Sequence, residues 1–259
     1  QLQRYYRETK LGKFDNEVFG FRNFGKSLEV VACDELPAEK VDTKPLGRHL
    51  DGCRIGFDLG GSDRKAAAVI DGEVVFSEEI EWDPYFEPDP NYHYEGVVDS
   101  LKKAAAHLPR VDAIGGSAAG CYSHNRVTWA SLFRGVPEEA FDSQVRGMFL
   151  KIQADWGVPL EVINDGEVTA LAGSMALGKN GVLGIAMGTS QGGGYIDMDG
   201  HITTWLSELA FAPVDLHPNA PPDEWSGDPG VGAQYFSQQA VGRLLPTSGI
   251  EYDSGLSLP

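Results

Sequence analysis

An internal repeat constrains this chain more than any other feature. Placing Ile55-Gly-Phe-Asp-Leu-Gly60 over Leu183-Gly-Ile-Ala-Met-Gly188 sets Gly56 on Gly184, Gly60 on Gly188, Ser62 on Ser190, Asp71 on Asp199 and Gly72 on Gly200, all at one offset of 128 residues. Self-similarity at a fixed spacing marks a duplicated structural unit. In each copy a short apolar run enters a glycine turn, a second run follows, and an Asp-Gly pair ends it. Asp-Gly is a strong hairpin signal, because a type I′ turn needs positive φ at both central positions. The repeat predicts one strand–turn–strand–hairpin–strand unit built twice, over 54–80 and over 182–206.

The pattern between the copies extends this. Strands are predicted at 54–59, 65–70 and 73–80, with a turn at 60–63. Residues 82–91 carry three prolines and read as a loop. Apolar residues at helical spacing predict a helix over 95–108 and an amphipathic one over 141–156. Short strands are predicted at 111–114 and 160–163, the first running into a turn at the glycine cluster Gly115–Gly120, and an Ala- and Leu-rich helix over 167–177. Gly188–Gly194 reads in the same way as a glycine turn after the strand 182–187. The second copy continues into a Pro-rich loop, 213–229, and a helical stretch, 231–245. The strand–helix–strand–helix that completes the first copy has no counterpart before residue 259, so the second unit reads as incomplete. The expected division is an N-terminal arm at 1–52, a first domain at 53–165 and the start of a second at 166–259. Within the arm, 14–24 is aromatic, 28–32 is a candidate strand and 38–50 is linker-like.

Composition narrows the function. Hydrophobic residues at 42% and charged residues at 23% are a globular mix, which excludes disordered and fibrous classes. A formal net charge of −17 repels phosphate backbones, so no nucleic-acid partner is expected. Nucleotides are tolerated only where backbone donors and a metal ion offset that charge. No apolar run reaches the ~18 residues of a membrane span, so no membrane partner is expected either. Cys33, Cys53 and Cys121 show no disulfide or zinc spacing and fit free thiols of a cytoplasmic protein. The six histidines show no paired metal spacing, and there is no Walker-type loop and no nucleophile elbow.

Two glycine turns related by duplication suit one chemistry. Each presents backbone N–H groups where no Cβ blocks approach, and two facing across a cleft can hold a polyphosphate. Asp58 ends the first strand beside its turn and can hold Mg²⁺, directly or through water. Ser62, Thr189 and Ser190 add hydroxyl donors. Asn164-Asp165 joins a strand to a helix, where Asp165 is either an N-cap or a general base open to the cleft. Glu208 either grips sugar hydroxyls or stands exposed, and His124, Asn125 and Arg126 read as loop residues.

Asp58-Leu-Gly-Gly-Ser62, Ile163-Asn-Asp-Gly-Glu-Val-Thr-Ala-Leu-Ala172 and Gly188-Thr-Ser-Gln-Gly-Gly-Gly194 resemble the motifs of the ROK family of sugar kinases, within the hexokinase, Hsp70 and actin superfamily. The resemblance covers roughly 54–245. It implies an α/β fold of duplicated RNase H-like (actin-like ATPase) domains with an interdomain cleft. It implies ATP- and Mg²⁺-dependent phosphorylation of a hydroxyl of a hexose or related sugar, with a homodimer left open. It places the general base at Asp165 and sugar contacts at Asn164 and Glu208. Phosphate and Mg²⁺ handling falls to Asp58, Gly60, Gly61 and Ser62 on one side and to Gly188, Thr189 and Ser190 on the other. Three positions depart from the family. Phe211 stands where a histidine is expected, Ala233 where a glutamate is usual, and 213–232 contains no cysteine, so no structural zinc is expected. The family's adenosine-binding segment would fall beyond residue 259. The alternative is a non-catalytic sugar-binding or regulatory relative, although 1–52 shows no clear helix-turn-helix and no basic excess. Retention of Asp58, Asp165 and both glycine turns favours catalysis.

Overall fold

The computed structural model describes residues 2–41, 43–203 and 208–251. The arm contributes helices α1 (Leu2–Glu8) and α2 (Lys10–Lys13), a π-helical turn at Phe14–Gly20, helix α3 (Phe21–Phe24) and strand β1 (Thr43–Lys44). Strands β2 (Cys53–Leu59), β3 (Asp63–Ile70) and β4 (Glu73–Glu81) lead into helix α4 (Pro90–Ala105). Strands β5 (Ala113–Ala118), β6 (Cys121–Ser123) and β7 (Arg126–Trp129) follow, then helices α5 (Glu138–Ala140) and α6 (Met148–Trp156), strand β8 (Leu160–Asn164) and helix α7 (Asp165–Leu177). Strands β9 (Val182–Met187), β10 (Gln191–Ile196) and β11 (Ile202–Thr203) and helix α8 (Gln238–Leu244) complete the order.

Two sheets organise the chain. One is five-stranded, ordered β4-β3-β2-β5-β8, with β2, β5 and β8 parallel and β3 and β4 antiparallel. The other is four-stranded and antiparallel, ordered β1-β11-β10-β9. Both copies of the repeat form the same antiparallel meander. The second glycine turn is one residue tighter, since Leu59 pairs with Arg64 but Met187 with Gln191. Residues 204–206, expected in the last strand of the second copy, lie outside the described residues.

Strand alternation sets the core. Cys53, Ile55, Phe57 and Leu59 of β2 are buried, and all but Cys53 join a core with Val97 and Leu101 of α4 and Phe149 and Ile152 of α6. Arg54, Gly56 and Asp58 face the opposite side. A smaller core forms under the second sheet, where Ala170 and Leu171 of α7 meet Ile196 and Ile202.

Several expectations are corrected. The loop ends sooner than its prolines suggest, because Pro90 opens α4 and Asp89 caps it through the Asn91 N–H, 2.9 Å away. Gly115–Gly120 is no turn until its end. β5 runs to Ala118, and a Cβ on Gly116 would stand 2.2 Å from Phe57 Cζ, so that glycine admits a ring. His124 and Asn125, read as loop, form the left-handed turn of the β6–β7 hairpin at φ 51° and 59°. Asn125 then clamps β8, donating to Leu160 O (2.7 Å) and accepting from Val162 N–H (2.9 Å). The helix over 141–156 divides into a π-helical turn, Phe141–Val145, and α6, with Gly147 between them. The stretch 231–245 divides into a 3₁₀ turn, Gly232–Gln234, and α8, which Ser237 caps. Residues 28–32 form no strand. The arm instead pairs β1 with β11.

The glycine triplet is also no turn. Gly192, Gly193 and Gly194 lie within β10, under α7. A Cβ on Gly194 would stand 2.4 Å from Glu167 Cα, one on Gly184 2.5 Å from Ala170 Cα, and one on Gly166 2.4 Å from Gly193 N. Helix and sheet touch backbone to backbone. A Gly194→Ala substitution is therefore expected to destabilise by about 1–3 kcal/mol, the range for overpacking, and to lower Tm by roughly 2–12 °C. Gly188→Ala, with nothing within 4 Å of its Cβ, serves as the near-neutral control, and paired melting curves check both.

Candidate active site

The β8–α7 junction builds the centre of the site. Asn164, not Asp165, is the N-cap: Gly166 N–H donates to Asn164 Oδ1 at 2.8 Å. Glu167 completes a capping box by accepting from Asn164 N–H at 3.3 Å. The Asn164 amide also donates to Gly120 O at 2.8 Å, so both ends of this expected sugar contact are engaged within the protein. The N-cap reading of Asp165 is thereby corrected. Asp165 stands at the first helical position, half-buried, with Gly166 N–H 2.9 Å from its Oδ1.

Asp165 lines a cavity of about 300 Å³. The sequence-expected residues Asp58, Gly60, Gly61, Ser62, Asn164, Gly188, Thr189, Ser190 and Glu208 line it as well. The fold thus brings together every candidate that the sequence offered. The glycine turns close on themselves, with Gly60 N–H donating to Asp63 O (2.9 Å) and Gly188 N–H to Ser190 O (3.0 Å). Ser62 Oγ donates to Asp63 Oδ2 at 2.9 Å, so its hydroxyl proton is directed at a neighbour. Gly61 admits Tyr85, whose hydroxyl would stand 2.0 Å from a Cβ there.

Glu208 is half-buried rather than exposed, and it accepts from the Cys121 thiol at 3.4 Å. Burial, with the charges of Asp165 and Glu167 adding, pushes its carboxyl up to about 7. Burial also raises Glu167 to about 7. Asp165 is raised by burial and then by the charge of Asp58. Repulsion between Asp58 and Asp165 is what a divalent cation relieves, and Mg²⁺ is ordinarily held by one or two carboxylates together with phosphate oxygens. The donor set fits Mg²⁺, although no group of three or more ligating side chains occurs among the described residues.

Other lining residues were not singled out from the sequence. Lys65 sits opposite Asp58 in the β2–β3 register and is held by Asp63 at 2.5 Å. Trp129, Arg134 and Trp225 form one wall with Phe211. Trp129 stacks on Trp225 with centroids 4.5 Å apart and planes 7° apart, and Phe211 packs edge-on to Trp129 at 5.6 Å. The cysteine-free loop behind that wall is fastened by Asp223, whose Oδ1 accepts from the N–H groups of Trp225 (3.1 Å) and Ser226 (2.8 Å). Phe14 and Phe19 of the arm join the same aromatic cluster.

The fold matches known structures. A ROK family glucokinase from Streptomyces griseus, solved with glucose and AMPPNP, superposes with a TM-score of 0.59 at 22% identity, over 76% of this chain and 61% of that one. A ROK hexokinase from Thermus thermophilus gives 0.56 at 18%, over 76% and 63%. A ROK family transcriptional regulator, a homolog of the E. coli MLC protein, gives 0.58 at 18%, over 78% and 52%. The chain therefore has the actin-like ATPase fold of ROK proteins and spans less than two thirds of the length of these three. No protein-family model and no curated protein matches it. No helix among the described residues is long and apolar enough to cross a membrane.

The raised carboxyl of Glu208 predicts a pH-dependent stability. In the unfolded chain it titrates near 4.5 and in the fold near 7, so the folded state keeps its proton between these values and loses stability as pH rises through them. Glu208→Gln is expected to raise Tm by a few °C at pH 8 and to leave it unchanged at pH 4. Melting curves across this range check it, and equal shifts at both pH values would refute the linkage.

Proposed function

We propose that this chain is part of a ROK-family kinase that transfers the γ-phosphoryl group of ATP to a hydroxyl of a hexose or related sugar. The proposed division is an arm at 1–52, a first domain at 53–165 and a second from 166 to 259. The observation that carries the reading is the freedom of Asp165: a neighbour caps the helix, and Asp165 faces a cavity shared with Asp58 and both glycine turns.

In this reading Asp165 is the general base. Its carboxylate accepts the proton of the sugar hydroxyl as that oxygen bonds to phosphorus and the bond to the ADP oxygen breaks. Burial raises its affinity for that proton. Mg²⁺, when bound, supplies charge neutralisation at the phosphates, and Asp58 is the residue that would hold it, directly or through water. Gly60, Gly61 and Ser62 on one side and Gly188, Thr189 and Ser190 on the other approach the phosphates. Glu208 and the remaining donor and acceptor capacity of Asn164 orient the sugar. A second reading, a sugar-binding regulator without catalysis, draws on Phe211 and Ala233, which remove two polar groups that the family's kinases usually have.

Asp165→Asn separates the two readings. It keeps size and polarity but cannot accept the proton, so kcat should fall by roughly 10²–10⁴-fold. Sugar binding and Tm should stay near wild type, because the cap belongs to Asn164. Coupled ADP-release kinetics and a melting curve check this. A kcat near wild type would remove Asp165 from the mechanism.

A further inference from the structure

The loop between β4 and α4 shapes the first glycine turn. Trp82 takes two of the turn's carbonyls: its indole N–H donates to Gly60 O at 2.8 Å and its backbone N–H to Ser62 O at 3.1 Å. Gly60 N–H donates to Asp63 O at 2.9 Å, so the orientation of the turn is fixed from behind. Three residues after Trp82, Tyr85 lays its hydroxyl on Gly61. A Cβ there would stand 2.0 Å from that oxygen and 2.5 Å from Cζ. Gly61 is not one of the glycines with positive φ, so this position needs glycine for space rather than for backbone conformation. A hydroxyl fills that space, and a ligand approaching this side of the turn meets it.

Tyr85 is half-buried and lines the cavity with Asp58, Gly61, Asp165 and Thr189. Two anchors hold it there. The Arg134 guanidinium lies over its ring, 4.4 Å from the centroid. His93 of α4, fully buried, places Nε2 3.1 Å from Pro84 O and 3.0 Å from Leu132 O. Carbonyls only accept, so Nε2 carries the proton. One buried N–H thus ties the residue before Tyr85 to the turn Ser131–Phe133, which Arg134 follows. Burial raises the phenol's pKa, Arg134 and Ser131 offset part of that rise, and Asp165 and Glu224 add to it. The phenol therefore keeps its proton at neutral pH. A phenylalanine would fill the stack on Arg134 equally well, so packing does not account for the hydroxyl.

We propose that Tyr85 is a further catalytic residue, whose hydroxyl donates a hydrogen bond to an oxygen of the terminal phosphoryl group beside Gly61. This rests on the reading of the cleft as a sugar-phosphorylating site. The phenol keeps its proton throughout. The one proton that moves passes from the sugar hydroxyl to Asp165, as the sugar oxygen bonds to phosphorus and the bond from phosphorus to the ADP oxygen breaks. The contribution of Tyr85 is electrostatic. Catalysis of phosphoryl transfer rests on positioning and on donors aimed at the phosphoryl oxygens, and a donor held in place before the reaction needs no reorganisation during it. The stack on Arg134 and the anchor at Pro84 supply that rigidity.

Tyr85→Phe tests this, because it keeps the ring on Arg134 and removes only the hydroxyl. ADP release is measured with ATP, Mg²⁺ and a panel of hexoses and N-acetylhexosamines. The variant should lose roughly 10–100-fold in kcat, the range for a hydrogen bond to a charged group, with sugar KM within about twofold of wild type. Calorimetry with Mg²⁺ and tripolyphosphate should show a Kd raised roughly 3–10-fold. Gly61→Ala, whose Cβ pushes the hydroxyl off the turn, should reproduce the loss in kcat and carries the test if a melting curve shows that Tyr85→Phe does not fold. A kcat close to wild type would overturn the proposal and leave the kinase reading intact. So would a raised sugar KM at unchanged kcat, which places the hydroxyl on the sugar. A lowered Tm with equal losses in kcat and sugar affinity would overturn it in favour of packing. Tripolyphosphate binding that depends on Tyr85, without ADP release from any sugar, would sustain the phosphoryl contact and overturn the kinase reading. Absence of both binding and turnover would overturn both.

Discussion

The direct contact of α7 with β9 and β10 is the constraint on which the site depends. Helices ordinarily rest on sheets through side chains. Here Gly166 lies against Gly193, and the helix backbone at Glu167 and Ala170 lies against Gly194 and Gly184. Side-chain-free contact fixes the helix along its axis, because any shift drives backbone into backbone. The N-terminus of α7 is thus held at the end of the second sheet while β8, which feeds it, belongs to the first. One rigid element spans both sheets, and its first residue, Asp165, faces the space between them.

Capping decides what Asp165 is free to do. An aspartate at this junction would normally be consumed by orphan N–H groups. Asn164 and Glu167 meet that need reciprocally. The helix terminus still carries partial positive charge, which favours an ionised Asp165, while burial and Asp58 oppose it. Glu167 shows the same balance. It accepts the cap N–H, yet burial carries its carboxyl to about 7. The junction therefore gathers acidic groups whose proton affinity burial has raised.

Features tied to one local backbone conformation were legible in the sequence. Asp71-Gly72 adopts the predicted left-handed turn at φ 47° and 88°, and the gapless repeat gave two meanders of one topology. Glycine misled where its use was tertiary. Gly116 admits the Phe57 ring and Gly192–Gly194 admit α7, and nothing in a one-dimensional pattern separates a glycine needed for positive φ from one needed for space. The Asn164–Glu167 spacing is a capping-box signature that could have assigned the cap without the structure. The Trp129, Arg134 and Trp225 wall had no such signal. Its members come from a hairpin, the end of the 3₁₀ turn Ser131–Phe133 and a distant loop, and only the fold brings them together.

Two of the departures from the ROK pattern, Phe211 and the cysteine-free loop, form one physical system. A loop without cysteines needs another fastening, and Asp223 with the Trp129–Trp225 stack provides it. That stack needs covering, and Phe14 and Phe19 of the arm cover it together with Phe211. The phenylalanine at position 211 thus belongs to a packed aromatic cluster whose other side is the wall of the cavity. Arm, loop and wall share this cluster, so losing the arm would loosen the wall. The arm is itself sensitive to charge, because burial and then Asp228 raise the carboxyl of Asp15 to about 6. The arm is therefore joined to that wall through packing, and its Leu46 and Gly47 line an adjoining cavity that shares Asp58 and Asp165.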